Sequence, residues 1–600
     1  MKRFLSLLVV ALAAAFSSSL AAAETSKRPN VLLIITDDQG YGDIGAHGNT
    51  MIETPSLNAL AKQATRLTNF HVDPTCAETR SALMTGRYSC RTGVWHTIMG
   101  RSILRRDETT MPQLFSLAGY RTGMFGKWHL GDSYPYRPMD RGFGESLVIA
   151  GGGVGQSPDH WGNDYFDDTY LRNGQPEAQK GYCTDVFFQN AKAFIEQSQA
   201  SSEKQPFFCY IATNAPHAPY NVDPQLAEPY LKKGVPQPMA NFYAMISNID
   251  ENIGKLLAFL DERKLSDDTI VIFMTDNGTA EGAGRGGRPG GKAKGKNSPA
   301  TTDEPKWNGY TAGMRAQKGS QYEGGHRVPC FIRWPGGKLP VDHEVTQLTA
   351  HFDLFPSLLK WCDVEKPAAL ELDGQPLDAL VRGASTDGFD DRTIVVHSQR
   401  VEFPEKHRKT AVMNGPWRLI DNTELYNIAD DPGQTKNIAT EHPAEIEKLR
   451  KFYESWWGSV SKKFDQYVPL VLGAEACPSV DLCCHDWHPG TESIPWNQSG
   501  QIGVAGDPLQ NGFWAVDVAR PGTYRFLLHS RPAWVKEPLK ATRAKVKIGE
   551  LEKEITIDPQ THEAVIELEL PAGETKLWTY LEHENGKSRG AYYVIVERVK

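Results

Sequence analysis

Asn30-Val-Leu-Leu-Ile-Ile-Thr36 is a continuous apolar run rich in β-branched residues. A run of this kind is typical of a strand that is buried on both faces. Two later runs, at 206–212 and 269–275, have the same character. Patterns typical of amphipathic helices lie around them, at 54–64, 111–118, 184–197 and 240–260. The alternation predicts an α/β fold with a large mixed, mainly parallel sheet flanked by helices.

Polar side chains follow two of these runs directly. Asp37 and Asp38 come after the first run, and Asp276 and Asn277 come after the run at 269–275. Functional residues of α/β folds lie just past the carboxyl ends of the strands, so we expect the two pairs to meet. Adjacent carboxylates at the end of a buried strand repel each other unless a cation compensates. Four hard oxygen ligands suit Ca²⁺ or Mg²⁺ better than zinc.

The bulk composition is that of a globular protein with several units. The chain has 600 residues, of which 40% are hydrophobic and 23% charged, and is too long for one ordinary core. Residues 1–23 combine a basic start, an apolar run and a small-residue end, which predicts a signal peptide rather than an uncleaved anchor. We therefore expect a secreted or periplasmic protein with no membrane span. The net charge of −8 argues against a nucleic-acid partner.

Three units are predicted after the signal peptide. Residues 24–390 carry the α/β pattern, and residues 391–460 form a small α+β subdomain with short antiparallel strands and a helix at 443–457. Residues 461–600 contain strands without helices and predict an appended β-sandwich-like accessory domain. The stretch 278–306, rich in glycine and lysine, predicts a mobile loop. We favour a solvated insertion over a basic flap that covers an anionic substrate.

Nine cysteines in a chain expected to be exported raise the question of disulfides. Cys183 and Cys209 lie in apolar segments and are expected to be buried thiols as readily as disulfide partners. One group of potential ligands is concentrated near the start of the accessory domain: Cys477, Cys483, Cys484, His485 and His488. These residue types could hold zinc, but an oxidising compartment favours a local disulfide. We interpret the group as structural.

The stretch Asp73-Pro-Thr-Cys-Ala-Glu-Thr-Arg-Ser-Ala-Leu-Met-Thr85, followed by Gly86-Arg87, is the most specific in the chain. Thr75 and Glu78 have the spacing of a capping box, so a helix is predicted to begin at about Cys76. Free backbone N–H groups at a helix start favour an anion nearby. The stretch resembles the signature of the sulfatase family, in which the cysteine is oxidised to formylglycine. Glu78 departs from that signature, because the family nearly always has Pro, Ala or Ser at this position.

Three later blocks match the same family in chain order. Gly126-Lys-Trp-His-Leu-Gly131 places Lys127 and His129 on one face of an extended segment. Asn214-Ala-Pro-His-Ala-Pro-Tyr220 holds His217 between prolines that stiffen its loop. A last block, at 314–329, contains Lys318.

The resemblance implies an arylsulfatase-like hydrolase of sulfuric esters in the alkaline phosphatase-like superfamily. It implies one Ca²⁺ bound by the aspartates and asparagine named above, and a formylglycine made from Cys76 by a formylglycine-generating or sulfatase-maturating enzyme. Arg80 would orient the formylglycine, and His129 would remove a proton from it. Lys127 and Lys318 would bind the sulfate. His217 would protonate the leaving alcohol.

Other functions remain open at this level. One is a phosphate or phosphonate ester hydrolase of the same superfamily, and another is a non-catalytic sulfated-glycan binding protein in which Cys76 is unmodified. The expected substrate of the leading hypothesis is a sulfated carbohydrate or an aryl sulfate. His96, Arg101, His160 and Trp161 fall in regions that could line a pocket, although each is expected to be structural.

Overall fold

The computed structural model describes residues 28–200, 205–281, 309–489, 494–498, 502 and 509–600. The predicted signal peptide and most of the 278–306 loop lie outside these residues. Within the described ranges, no helix combines the length and the apolar character needed to cross a lipid bilayer.

The α-helices of the described residues flank the sheets. They are α1 (Pro55–Lys62), α2 (Cys76–Thr85), α3 (Met111–Leu117), α4 (Cys183–Ala200), α5 (Pro224–Lys232), α6 (Met239–Glu262), α7 (Glu323–His326), α8 (Leu354–Trp361), α9 (Asp378–Val381) and α10 (Pro443–Val460). Short 3₁₀ turns occur at Gly45–His47, Ser89–Thr92, Pro138–Arg141, His351–Asp353, Ser461–Lys463, Cys484–Asp486 and Ala533–Val535.

A ten-stranded mixed sheet forms the centre of the main unit, in the order β11-β2-β10-β9-β1-β8-β4-β5-β6-β7. Its strands, with the small pair β3 and β12, are β1 (Asn30–Thr36), β2 (Thr65–Leu67), β3 (Phe70–His71), β4 (Arg121–Lys127), β5 (Glu145–Ile149), β6 (Thr169–Arg172), β7 (Gln175–Ala178), β8 (Phe207–Ala212), β9 (Thr269–Thr275), β10 (Cys330–Arg333), β11 (His343–Val345) and β12 (Thr349–Ala350). The central strands β9, β1, β8, β4 and β5 are all parallel.

The two faces of this sheet bury different sets of side chains, because successive residues of a strand point to opposite sides. Leu32 of β1 packs in one cluster with Phe187 of α4 and Ile249 of α6. Its neighbour Leu33 packs in a second cluster, which contains Leu83 of α2. The helix that begins at Cys76 is therefore held against the sheet by apolar burial.

The next unit is a four-stranded antiparallel sheet with one long helix. Its strands are consecutive neighbours: β13 (Thr393–His397), β14 (Thr410–Asn414), β15 (Trp417–Ile420) and β16 (Glu424–Asn427). Leu449 and Tyr453 of α10 pack against Val412 on one face of the sheet. Val396 on the other face packs with Phe352 of the main unit. This sheet is therefore covered on both faces.

Two further sheets contain the remaining described strands. They are β17 (Leu470–Leu472), β18 (Ser479–Cys483), β19 (His488–Pro489), β20 (Gly512–Val518), β21 (Gly522–His529), β22 (Arg543–Ile548), β23 (Leu551–Thr556), β24 (Ala564–Leu570), β25 (Gly573–Glu582), β26 (Ser588–Arg589) and β27 (Tyr593–Arg598). One sheet follows the order β17-β20-β25-β22-β23, with β19 beside β20 and β26 beside β25, and the other follows β18-β27-β21-β24.

A shared apolar core joins these two sheets into a sandwich. Trp514 of the first sheet packs in one cluster with Phe526 and Val596 of the second. Ile103 and Tyr136 of the main unit belong to the same cluster. The sandwich is therefore packed against the main unit and is not suspended on a linker.

The predicted fold class is confirmed: a large mixed sheet flanked by helices is followed by an α+β unit and a β-sandwich. The exact boundaries between the units stay predictions. The local disulfide expected near residue 480 is not formed, since all nine cysteines are free thiols. Cys477 Sγ instead donates to the Ser479 carbonyl (3.1 Å) and Cys484 Sγ to the Pro495 carbonyl (3.0 Å).

One buried ion pair ties the α+β unit to the main unit and yields a prediction. Both amino groups of Arg392 lie 2.6 Å from the two carboxylate oxygens of Asp353, and both side chains are buried. Arg392→Ala leaves the Asp353 charge buried and unpaired, so we expect the free energy of unfolding to fall by about 3 kcal/mol. Urea denaturation measures the change.

The matched control is Arg525→Ala, which breaks an exposed pair with Glu567. That change should cost less than about 1 kcal/mol. Equal losses for the two variants would contradict the assignment.

Candidate active site

The candidate site lies at the carboxyl ends of four neighbouring strands. Asp37 follows β1, Asp276 follows β9, and Lys127 is the last residue of β4. His217 lies in the loop after β8. Because β9, β1, β8 and β4 are adjacent and parallel, their polar ends meet at one edge of the sheet.

Three carboxylates and an amide form the acidic part of the site. The backbone N–H of Asp38 donates to Asp276 Oδ1 at 3.0 Å, and Asn277 Nδ2 donates to Asp38 Oδ1 at 2.9 Å. All of these side chains are buried. Burial, reinforced by the nearby Asp37, raises the pKa of Asp276 to about 7. The fold thus concentrates negative charge where ionisation is costly.

Three cations compensate this charge. Lys127 Nζ lies 2.5 Å from Asp37 Oδ2, and Arg80 Nη2 donates to Asp276 Oδ2 at 2.9 Å. Lys318 forms an ion pair with Asp38. Burial opposes ionisation of Asp38, but Lys318 and then His217 outweigh it and hold the pKa of this carboxyl well below its usual range. Each carboxylate therefore has its own positively charged neighbour.

Cys76 is the first residue of α2, where the sequence predicted a helix start. Its Sγ lies 3.4 Å from His129 Nδ1. His129 Nε2 lies 2.8 Å from the Thr97 carbonyl, which can only accept, so the proton is on Nε2 and Nδ1 is a free base facing Cys76. Burial and the neighbouring Lys127 lower the pKa of His129, which keeps the ring neutral.

His217 reaches the site from the opposite side. Its Nε2 lies 3.8 Å from Asp38 Oδ2, and its Nδ1 donates to the Ala218 carbonyl at 2.6 Å. Burial lowers the pKa of His217 to about 4. Its side chain is 19% exposed and borders a cavity, so it can meet a ligand from solvent.

The predicted capping box is not formed, although the helix begins where expected. The Thr75 hydroxyl caps no backbone N–H group, and neither this oxygen nor the two Glu78 carboxylate oxygens have a hydrogen-bond partner among the described residues. Glu78 is 2% exposed, and its burial raises the pKa of the carboxyl to about 7. The carboxyl is thus confined beside Cys76 without the reciprocal bond that its spacing predicted.

The structure brings all ten predicted site residues into one connected group, while their chemical roles stay predictions. Thr97, whose carbonyl fixes the His129 ring, was not predicted, because a backbone contact leaves no motif. His485 of the sandwich was interpreted as structural, yet its ring centroid lies 6.2 Å from that of His129. Its Nε2 is buried and has no hydrogen-bond partner among the described residues.

Of the four residues expected to be structural, three are buried or stack on other side chains, and one borders the cavity beside His217. Arg101 is buried over the rings of Trp95 and Tyr467, and His96 is also buried, as expected of structural residues. His160 stacks on Trp534, with centroids 5.2 Å apart. Trp161, by contrast, borders the cavity beside His217, and so it does line a pocket.

The acidic part of the site fits a divalent cation. Ligand atoms of Asp37, Cys76 and Asp276 lie within 4.8 Å of one another. Asp37 Oδ1 and Asn277 Oδ1 are buried and have no hydrogen-bond partner among the described residues. Unsatisfied buried oxygens of this kind are what Ca²⁺ binds, and its charge would offset the crowding that raises the pKa of Asp276.

A second buried cluster does not fit a cation. His71 Nδ1 lies 2.9 Å from His326 Nδ1, with Glu323 nearby. Unlike Asp37 in the first cluster, Glu323 has no unsatisfied oxygen. Its Oε1 accepts from Arg418 Nε at 2.7 Å and its Oε2 from Arg327 Nη1 at 3.4 Å. We interpret this cluster as structural.

Comparison with known proteins gives consistent matches. The model of the sulfatase family matches residues 29–364, and the model described as N-sulphoglucosamine sulphohydrolase, C-terminal, matches residues 316–454. Arylsulfatase G of Rattus norvegicus is 30% identical over 395 residues, which cover 60% of this chain and 70% of that protein. N-acetylgalactosamine-6-sulfatase of Canis lupus familiaris is 29% identical over 404 residues, which cover 62% of this chain and 69% of that protein.

A solved structure, that of Ps i-CgsB in complex with k-i-k-neocarrahexaose, superposes with a TM-score of 0.62 and 25% sequence identity. The superposition covers 74% of this chain and 95% of that one. The likeness therefore extends over nearly the whole of the other protein but leaves a quarter of this chain unmatched.

The raised pKa of Glu78 predicts a pH-dependent stability. The folded protein binds this proton more tightly than the unfolded chain does, so stability is lost as pH rises from about 4.5 to about 7. Glu78→Gln should be nearly neutral at pH about 4.5 and stabilising by about 2 to 3 kcal/mol at pH about 8. Urea denaturation across this range measures the difference, with the exposed Glu447→Gln as control. A difference that does not change with pH would contradict the assignment.

Ca²⁺ is predicted to stabilise the fold. A cation that binds only the folded state adds about 2.7 kcal/mol at a hundred times its Kd, so EGTA should lower Tm and added Ca²⁺ should restore it. The Asp37→Asn variant should lose most of this response, whereas Asp167→Asn, which alters an exposed carboxylate, should keep it. Thermal unfolding followed by fluorescence measures the effect. A wild-type Tm that does not change when Ca²⁺ is added or removed would contradict the assignment of a Ca²⁺ site.

Proposed function

The chain belongs to the sulfatase family and is a sulfuric ester hydrolase, and on that premise we propose that it desulfates a carbohydrate through a formylglycine made from Cys76. One observation carries the proposal: Cys76 begins α2 between the unprotonated Nδ1 of His129 and the acidic cluster. The names of a relative, N-acetylgalactosamine-6-sulfatase, and of a structural neighbour bound to neocarrahexaose support a sugar substrate.

Two groups would complete the site. Formylglycine would supply a hydrated aldehyde at position 76, whose two hydroxyl groups a thiol lacks. Asp37, Asp38, Asp276 and Asn277 would hold Ca²⁺, which would supply positive charge that favours anionic oxygens.

The residues around position 76 have separate tasks. Lys127 and Lys318 present positive charge to the sulfate oxygens, where negative charge accumulates in the reaction. Arg80 donates to the Lys127 carbonyl at 2.9 Å as well as to Asp276, so it fixes the geometry between them. His129 Nδ1 accepts a proton from the group at position 76, since its other nitrogen is held by Thr97.

His217 is the proposed proton donor to the leaving alcohol. In the free protein its lowered pKa leaves it neutral near pH 7. The negative charge of a bound sulfate ester raises the pKa of a nearby imidazole and favours its protonated form. Lys318, whose pKa is raised mainly by Asp38 against the effect of burial, stays charged beside it.

We also propose that the chain is exported and that a maturating enzyme oxidises Cys76. The basic start and apolar run within residues 1–23 support export. The signature around Cys76 supports oxidation, with Glu78 as its departure from the family pattern.

The test combines peptide mass analysis with kinetics. Mass analysis of the peptide around Cys76 should detect the aldehyde, and nitrophenyl sulfate should be hydrolysed faster than nitrophenyl phosphate. Cys76→Ala should abolish turnover, because no group remains to attack sulfur, while urea denaturation shows that the variant is folded. Cys90→Ala, which removes another buried thiol, is the matched control and should keep activity.

The alternatives predict other outcomes. If position 76 carries a thiol and the protein binds sulfated glycans without cleaving them, the alternative of a non-catalytic glycan-binding protein is favoured. Faster hydrolysis of the phosphate ester would favour a phosphorus substrate. Full activity of Cys76→Ala would disprove the mechanism.

A further inference from the structure

We propose that the β-sandwich completes the substrate site, and that the cavity between it and the main unit binds an uncharged sugar ring adjoining the sulfated one. The inference rests on the proposed function and deepens it, because it makes the substrate an oligosaccharide rather than a single sulfated sugar.

The cavity lies where a leaving group would depart. Its volume is about 680 Å³, and it is bordered by His217, the proposed proton donor, and by Pro219 of the same loop. Trp496 and Gln498 border it from the C-terminal part of the chain. A sugar whose bond to sulfate is cleaved beside His217 would therefore extend its neighbour into this space.

Backbone hydrogen bonds fix Trp496 at the edge of the cavity. The Ser157 N–H donates to the Trp496 carbonyl at 2.9 Å, and the Gln498 N–H donates to the Gly155 carbonyl at 2.9 Å. Asn497 forms an antiparallel bridge with Gln156 between these bonds. The segment 496–498 is thus joined to a loop of the main unit by a single β-bridge, and the Trp496 indole, 38% exposed, lies beside the cavity.

Trp161 provides a second aromatic side chain from the main unit. The guanidinium of Arg531, on the sandwich, lies 5.0 Å from its ring centroid. Next to it, the Gly162 N–H donates to Gln498 Oε1 at 3.2 Å. Both tryptophans are therefore held by contacts between the sandwich and the main unit.

The chemistry of the lining favours a neutral sugar. Aromatic rings with a few amide and carboxylate groups suit a ring that has apolar C–H faces and hydroxyl edges. Asp164, which is exposed, and Asn221, whose Nδ2 donates to the Asp164 carbonyl at 2.6 Å, line the cavity and present side-chain oxygens to hydroxyl groups.

None of the described residues that line the cavity is lysine or arginine, and the proposed sulfate-binding cations, Lys127 and Lys318, do not border it. Arg531 packs over the Trp161 ring, but its charge is paired with Glu537 at 3.5 Å. A second sulfate in this space would therefore lack a lysine or arginine in the cavity lining.

One side of the cavity, at residues 496–498, lies outside the regions that match known families, whereas Trp161 and His217 lie within the sulfatase match. The second family model ends at residue 454, before Trp496. The sandwich therefore adds a recognition surface to the catalytic unit.

The test compares large and small substrates of the wild type and of Trp496→Ala and Trp161→Ala. The probes are nitrophenyl sulfate and a panel of carrageenan and chondroitin sulfate oligosaccharides, each with its sulfated monosaccharide. For the oligosaccharide that the wild type cleaves, each variant should lower kcat/KM about tenfold or more, mainly through KM. For nitrophenyl sulfate, kcat/KM should stay within about twofold, which also shows that the variants are folded.

Trp534→Ala is the matched control, because this indole lies on the sandwich, is 58% exposed, and borders a different cavity. Trp534→Ala should leave kcat/KM for the oligosaccharide and for nitrophenyl sulfate within about twofold of the wild-type values. The wild type should also prefer oligosaccharides whose neighbouring sugar lacks sulfate.

Several results would overturn the inference. One is an equal loss of kcat/KM on oligosaccharides and on nitrophenyl sulfate in Trp496→Ala and Trp161→Ala, and another is a loss confined to Trp534→Ala. The others are a wild-type preference for oligosaccharides whose neighbouring sugar is sulfated, and cleavage of nitrophenyl sulfate but of no oligosaccharide. Failure of the wild type on every sulfate ester would instead contradict the proposed function, and with it this inference.

Discussion

Compensation of buried negative charge is the constraint on which the site depends. Asp37, Asp38 and Asp276 meet because the two adjacent parallel strands that precede them, β1 and β9, end at the same edge of the sheet. Each carboxylate has a cation within ion-pair distance, supplied by β4, by α2 and by the segment that precedes α7. Ionised carboxylates in a dry interior are costly to leave unpaired. The ion pairs that stabilise these buried carboxylates therefore also bring together the cations that would bind a sulfate ester.

The balance of charge also divides the site into two halves. On one side, a neutral histidine with its base nitrogen toward Cys76 is held by a backbone carbonyl. On the other, His217 faces solvent and a cavity. In the proposed mechanism, the first half accepts a proton from the group at position 76, and the second gives one to the leaving alcohol. The sandwich touches both halves, through His485 near the first and Trp496 near the second.

Much of this arrangement could be predicted from the sequence, for a physical reason. The strands at 30–36 and 269–275 are long apolar runs, so their type and bounds were correct, and the polar residues after them had to lie at the strand ends. Short strands such as β2 and β11 carry no such signal, because tertiary pairing alone defines them. The prediction of a capping box was wrong because the spacing of Thr75 and Glu78 only permits its two hydrogen bonds, and neither is made in the folded chain. The Thr97 carbonyl and Trp496 act through contacts between distant segments, which no local pattern encodes.

The burial of Cys76 bears on when the proposed oxidation of this residue could take place. Its side chain is 2% exposed at the base of a helix that is itself buried along its length. An oxidising enzyme could not bind a side chain in that position in its active site unless the helix unwound and the edge of the sheet opened. If an enzyme oxidises this sulfur as proposed, the oxidation would therefore precede folding, and a chain that folded first would keep its thiol. The yield of active protein would then be set by a race between two rates rather than by the stability of the finished molecule.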